Sequence, residues 1–234
     1  MARASVVGAC AAAAGGALAI GLLKRQFATA TRKTAGEWLR DRVRVVPHSV
    51  LGTQLKTGGV KVVAPAPEAR EVIVDPAGLP YVSGQRPPGA AGAASASIYK
   101  FLGLAAAPAF PDAVVAAIAQ AGDAKLHAYG EQKCVHVVGP DFREVRVDAA
   151  GARKTLAGAY ANVLREVADA GAPVARLLPV SGGVFSGHWA LDMHHLTFAA
   201  LALAYDGLDA PSRAGPQSAS SQSCRDREWR KQHQ

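Results

Sequence analysis

Short apolar, β-branched runs alternate along the middle of the chain with stretches whose apolar residues recur at helical spacing. Val43 to Val46, Val60 to Val63, Glu71 to Val74, Cys134 to Val138 and Arg176 to Val180 read as strands. Asp112 to Ala121 places Val114, Val115 and Ile118 on one face and meets Gly122, a helix stop. Leu156 to Ala170 repeats the pattern with Leu156, Tyr160, Val163, Leu164 and Val167 before Gly171. Trp189 to Tyr205 does so with Leu191, His195, Phe198, Leu201 and Tyr205. Strands alternating with helices predict an α/β domain, a mixed or mostly parallel sheet between two helical layers. No internal repeat interrupts this order.

The two ends break the pattern in different ways. Val6 to Leu23 is a run of 18 uncharged residues, mostly Ala and Gly, followed at once by Lys24 and Arg25. That length just suffices to span a bilayer, although Ala and Gly insert weakly. Residues 1–36 also hold no acid, and Arg25, Gln26, Phe27 and Ala28 resemble a mitochondrial presequence cleavage site. Residues 1–36 are therefore expected to be a targeting segment or an apolar helical anchor. The address is an organellar membrane, mitochondrial in preference to plastid, with lipid contact through residues 6–23. Residues 209–234 are rich in Pro, Ser, Gln and charge and predict a flexible basic tail. Residues 37–208 remain as one domain, and 234 residues leave little room for a second.

Charge and cysteine content narrow the function. The net charge of +8 lies in the ends, which carry +5 and +3; residues 37–210 hold 16 basic and 16 acidic side chains. Nucleic-acid binding requires clustered Lys and Arg, so the folded part is not expected to bind polyanions. Cys10, Cys134 and Cys224 are odd in number and widely spaced, which excludes a disulfide framework and a Cys-x-x-Cys metal site. His188, His194 and His195 do not make a metal centre either, because adjacent helical histidines point about 100° apart. Pro179 to Gly183 half matches the nucleophile elbow of α/β-hydrolases, but its first glycine is absent. Asp192 and the histidines follow on a single helix, whereas a triad needs acid and base from separate loops. No metal and no cofactor is expected.

Three strings, in order, carry a family resemblance. Cys134 to Phe142, reading Cys-Val-His-Val-Val-Gly-Pro-Asp-Phe, is similar to the central strand and outgoing turn of the macro domain. A helix with Tyr160 follows where that family has a tyrosine-bearing helix. Leu177 to Gly187 then resembles the family's strand and phosphate loop, with Ser181, Gly182, Gly183, Val184, Phe185, Ser186 and Gly187 in the loop. The resemblance implies a three-layer αβα fold and a site for ADP-ribose, with Phe185 along the distal ribose. Independently of it, Gly182 and Gly183 are expected to take positive φ and turn backbone amides inward as an anion nest.

The first half of the domain departs from the family. Val72 to Gly78 resembles the strand that there ends in Asn-Ala-Ala-Asn, but Asp75 and Gly78 replace both asparagines. The family's glycine run and Asp correspond to Gly89 through Ser95, where no carboxylate stands, and the adenine-recognising Asp would fall in Ala64 to Ala66, where there is none. Asp75, Gly78 and Gly89 are then the residues left to contact a ligand from this half, while Asp75, as a strand residue ahead of Pro76, is expected to face solvent or cap a turn. Hydrolysis needs an oriented water and a group to deprotonate it, and the residues that supply these in the family are replaced. The sequence thus predicts a non-catalytic macro-like accessory or scaffolding subunit of a larger organellar membrane complex. The alternative is a module binding ADP-ribose or a related nucleotide, with at most slow ADP-ribosyl hydrolysis.

Overall fold

The computed structural model describes residues 35–56 and 59–208. Helix α1 (Ala35–Arg42) precedes a two-stranded antiparallel hairpin, β1 (Thr53–Lys56) and β2 (Gly59–Val62). Then come β3 (Glu71–Ala77), the short α2 (Leu79–Val82), a 3₁₀ turn at Pro88–Ala90, and helices α3 (Ala93–Phe101) and α4 (Asp112–Ala117). Strands β4 (Ala124–Tyr129) and β5 (Gln132–Val138), the long helix α5 (Ala149–Asp169), β6 (Val174–Leu177), a 3₁₀ segment Val184–Trp189 and α6 (Met193–Gly207) complete the order.

The main sheet has the order β4-β5-β3-β6, with β3 parallel to both β5 and β6 and β4 antiparallel to β5. Both central strands are buried on both faces, as a sheet covered on two sides requires. Val72 and Val74 of β3, with Val135 and Val137 of β5, pack against α5 and α6. Ile73, Ala77, Cys134 and Val138 point the other way, against Ile98 and Tyr99 of α3 and Val114 of α4. The result is a mixed α/β arrangement compatible with three αβα layers.

Several expected elements shift. Val43–Val46 forms no strand, and Val45 and Val46 are exposed. The first strand after α1 is instead Thr53–Lys56, which pairs locally with β2. The helix expected to run to Ala121 ends at Ala117, because Ile118 turns extended and the Asp123 carboxylate caps the amides of Ala119 and Gln120. Gly122 lies beyond it, with φ +99°. The strand expected at Arg176–Val180 is Val174–Leu177, after which the chain leaves the sheet. Among the described residues no helix is long and apolar enough to cross a membrane. The apolar run of residues 6–23 and the basic tail lie outside the described residues.

Pro76 sits in a central strand, where a missing amide would normally break a ladder. Pairing of β3 with β6 covers only Glu71 to Val74, whereas pairing with β5 continues to Ala77. Pro76 therefore falls just where the β6 side has no ladder to serve. Strands β3 and β6 part at that level, and the space between them opens at their carboxyl ends.

Candidate functional site

A cleft of about 690 Å³ occupies that opening. Its floor is Pro76, Ala77 and Gly78 at the end of β3, one wall is Ala91 to Ser95 at the start of α3, and the opposite wall is Leu178, Pro179 and Ser181 to Phe185 with Gly139. The carboxyl ends of parallel strands are the ordinary position for a ligand crevice in α/β sheets. Tyr81, Arg86 and Arg143 stand at the rim.

The loop wall is locked to the β5 turn. The Ser181 hydroxyl donates to the Pro140 carbonyl at 2.6 Å, and the Phe142 amide donates to the Phe185 carbonyl at 2.9 Å. The Val180 amide donates to the buried Tyr160 hydroxyl at 2.9 Å, which gives the tyrosine of α5 a definite role: it holds the loop. Burial pushes the Tyr160 phenol above its ordinary value, the effect moderated by its hydrogen bonds. A methyl group at Gly139 would collide with Ser181 Oγ and Val180 Cγ1, and one at Gly187 with the Phe142 backbone. The three strings that carry the family resemblance thus meet in one packed junction.

Loop geometry differs from the expected nest. Positive φ belongs to Ser181 (+58°) and Gly187 (+51°), whereas Gly183 has φ −105°. The Gly182 amide is committed to the Pro179 carbonyl at 2.9 Å. Gly182 is required for another reason: a Cβ there would sit 2.7 Å from the Pro179 Cβ. Ser181, Gly182, Gly183, Val184 and Phe185 line the cleft, while Ser186 and Gly187 lie behind it and hold the loop, Ser186 by donating to the Gly183 carbonyl at 2.7 Å. Among the described residues, the two non-glycine residues with positive φ, Ala93 (+52°) and Ser181, both line this cleft. Unfavourable backbone of this kind costs on the order of 1–3 kcal/mol and gathers at functional sites.

In the first half, Gly78 does line the cleft, and a Cβ on it would meet the Tyr81 ring at 3.1 Å. Tyr81 therefore fills the space that a side chain at position 78 would need. Gly89 is not part of the lining; it packs against the Ala105 carbonyl, too close for any Cβ. Asp75 neither faces solvent nor caps a turn. It is fully buried on the α3 face of the sheet, because strand parity puts it with Ile73 and Ala77 rather than with Val72 and Val74. Parallel register sets it beside His136, and His136 Nδ1 lies 2.8 Å from Asp75 Oδ2. Ser95 donates to Asp75 Oδ1 at 2.7 Å, and Tyr129 Oη is 2.8 Å from His136 Nε2.

His136, Ser95 and Tyr129, which join Asp75 in this buried chain, were not among the residues expected at the site. The available signal was a histidine in the middle of a valine run, since a buried imidazole needs partners. Burial, helped by the nearby Asp75 charge, drives the Cys134 thiol and the Tyr99 phenol well above their ordinary values, and burial with Cys134 and Asp75 does the same to Tyr129. At the rim, Arg143 binds Asp141 through Nε and Nη2 and lies 5.1 Å over the Phe185 ring, and Arg86 lies 5.3 Å over Tyr81. The Arg143 hydrogen bonds hold the Asp141 carboxyl below the ordinary carboxylate range. His188, His194 and His195 are exposed, and the described residues contain no group of three His, Cys, Asp or Glu that could hold a metal.

No family model matches the chain, and no curated protein matches it. Among solved structures the chain is similar to "Alphavirus P23pro-zbd", with 23% identity and a TM-score of 0.40. The likeness covers 56% of this chain and 18% of that one.

Proposed function

We propose that the domain is a binding module for a diphosphate-bearing nucleotide of the ADP-ribose class, without hydrolytic turnover. The observation that carries this reading is the cleft between β3 and β6: about 690 Å³, walled by small residues and rimmed by Arg86 and Arg143. Pockets for small ligands span roughly 300–1,000 Å³. The macro-like order of the strings around Val138 and Ser181 supports the same ligand class. Guanidinium groups suit diphosphate oxygens because they present several donors in a plane. Turnover is not expected, because neither nearby carboxylate is placed to take a proton from water. Asp75 has both oxygens engaged behind Ser95, and Asp141 is engaged by Arg143.

Calorimetric titration of the full-length protein with ADP-ribose tests this. Without an acid for the adenine amino group, binding forfeits roughly 1–3 kcal/mol, one to two decades, so weak binding with little preference for ADP-ribose over its guanine counterpart is expected. Gly182→Val, which forces a side chain into Pro179, is expected to abolish it. Silence at millimolar ADP-ribose, or release of ribose products that Ser95→Ala stops, overturns the reading.

A second reading, the accessory subunit of an organellar membrane complex, is favoured by a different observation. The β1–β2 hairpin stands apart from the main sheet, and Val60 and Val62 on it are 68% and 71% exposed. Clustered exposed apolar side chains of this kind suit a protein partner. The two readings are compatible, since the cleft and the hairpin use different residues.

A further inference from the structure

We propose that Ser95 is the cleft's acceptor for a hydroxyl of the bound ligand, its own proton being turned inward by the buried Asp75–His136–Tyr129 chain. The inference rests on the reading of the cleft as a ligand site and names what that ligand must offer besides its anionic part.

Every side-chain hydroxyl lining the cleft has its hydrogen committed to the protein. Ser181 donates to the Pro140 carbonyl, the Tyr81 hydroxyl donates to the Ala90 carbonyl at 3.2 Å, and Ser95 donates to Asp75 Oδ1. A hydroxyl carries one donor and two acceptor lone pairs, so each presents only lone pairs to a ligand. The side-chain donors of the lining are the guanidinium groups of Arg86 and Arg143, which accept nothing. An anion meets the arginines, and a hydroxyl-bearing portion meets the serine. The matching ligand is a phosphorylated polyol such as a sugar nucleotide.

Ser95 is the strongest of these acceptors for an electrostatic reason. Its partner is a carboxyl group with 0% exposure, held on its other oxygen by an imidazole with 0% exposure. Burying such a pair costs several kcal/mol of desolvation. The pairing is maintained because Asp75 Oδ2, His136 Nδ1, His136 Nε2 and Tyr129 Oη form an unbroken series at 2.8 Å. A hydrogen bond from Ser95 to that carboxyl is charge-assisted, which fixes the direction of the proton and polarises the oxygen towards the cleft. Asp75 is therefore a positioning residue, and Ser95 touches the ligand.

The test is titration of ADP-ribose into full-length wild type, Ser95→Ala, Asp75→Asn and the double variant, with thermal melting to establish that each is folded. Ser95→Ala is expected to weaken binding about tenfold, the loss of one hydrogen bond from a ligand hydroxyl to an oxygen polarised by Asp75. Asp75→Asn is expected to weaken wild type about threefold but the Ser95→Ala protein by less than twofold, since its effect passes through the missing hydroxyl. Affinity of Ser95→Ala within twofold of wild type overturns the inference and leaves the nucleotide reading standing. Equal weakening by Asp75→Asn in both backgrounds also overturns it. If Asp75→Asn fails to fold, the Ser95→Ala result alone decides. Absence of binding by wild type overturns the nucleotide reading and this inference together.

Discussion

Gly139 shows how a single residue decides whether the cleft exists. It lies where the β5 turn meets the Ser181 loop, and the space for a Cβ is taken by Ser181 Oγ and Val180 Cγ1. Ser181 is held by the Pro140 carbonyl and Val180 by Tyr160, so neither yields cheaply. Gly139→Ala is expected to destabilise the domain by about 1–3 kcal/mol, the usual cost of overpacking, and to weaken ADP-ribose binding as the loop is pushed away. Chemical denaturation beside ligand titration measures both, and an unchanged midpoint refutes the packing account. The glycine was readable in the His-Val-Val-Gly-Pro string. Its partner Ser181 was not, because Ser181 and the adjoining Pro140, 41 positions apart, are brought together only by two strands that leave the same end of the sheet. Asp75 and His136 are the stronger instance: each strand fixes which of its residues share a face, but only register sets these two side by side.

Among the elements, α5 carries the fold's clearest local instruction. Asp148 caps it by accepting from the Gly151 amide at 2.8 Å, and its buried face runs from Ala152 through Leu156, Tyr160 and Val163. Asp148→Ala is expected to cost about 1 kcal/mol, as for other N-caps, visible as a lower thermal midpoint. Because α5 positions Tyr160, the same variant is expected to loosen the loop at Val180, read as faster amide exchange there. Exchange unchanged at Val180 despite a lowered midpoint would separate cap from loop. Helix α6 teaches the opposite lesson. Helical spacing marked Leu191, His195, Phe198, Leu201 and Tyr205 as its apolar face; Leu201 and Tyr205 are buried, but Leu191, His195 and Phe198 are exposed, and Met193, Leu196, Thr197, Ala200 and Ala204 complete the buried side. The helix is apolar nearly all round, so periodicity offers two faces. Packing against α5 in one core cluster, which holds Ala200 and Ala204 together with Ala152 and Ala159, selects one.

At the scale of the whole molecule the cleft and the hairpin make separable demands. Val60 and Val62 are exposed and contribute little to the domain's stability, so Val60→Thr with Val62→Thr is expected to leave the thermal midpoint within about 2 °C, as surface changes generally do. ADP-ribose affinity is likewise expected to be unchanged. If the accessory-subunit reading holds, the same variant no longer co-migrates with high-molecular-weight material from native membranes. Co-migration retained at wild-type level counts against the hairpin as the contact.

The alternation of strand and helix from β5 to α6, the neutrality of residues 37–210 and the two strings that build the loop junction were determined by the sequence alone, whereas β1, β4 and α3 were not legible in it. Periodicity, charge and turn chemistry are local properties that survive in an unfolded chain. The tertiary structure decided the rest: the parting of β3 from β6 beyond Val74, the burial of Asp75 against His136 and Ser95, and the inward direction of the cleft's hydroxyl protons. Each depends on which residues of distant segments come to lie opposite one another. Register and packing fix that, and no spacing along a single strand encodes it.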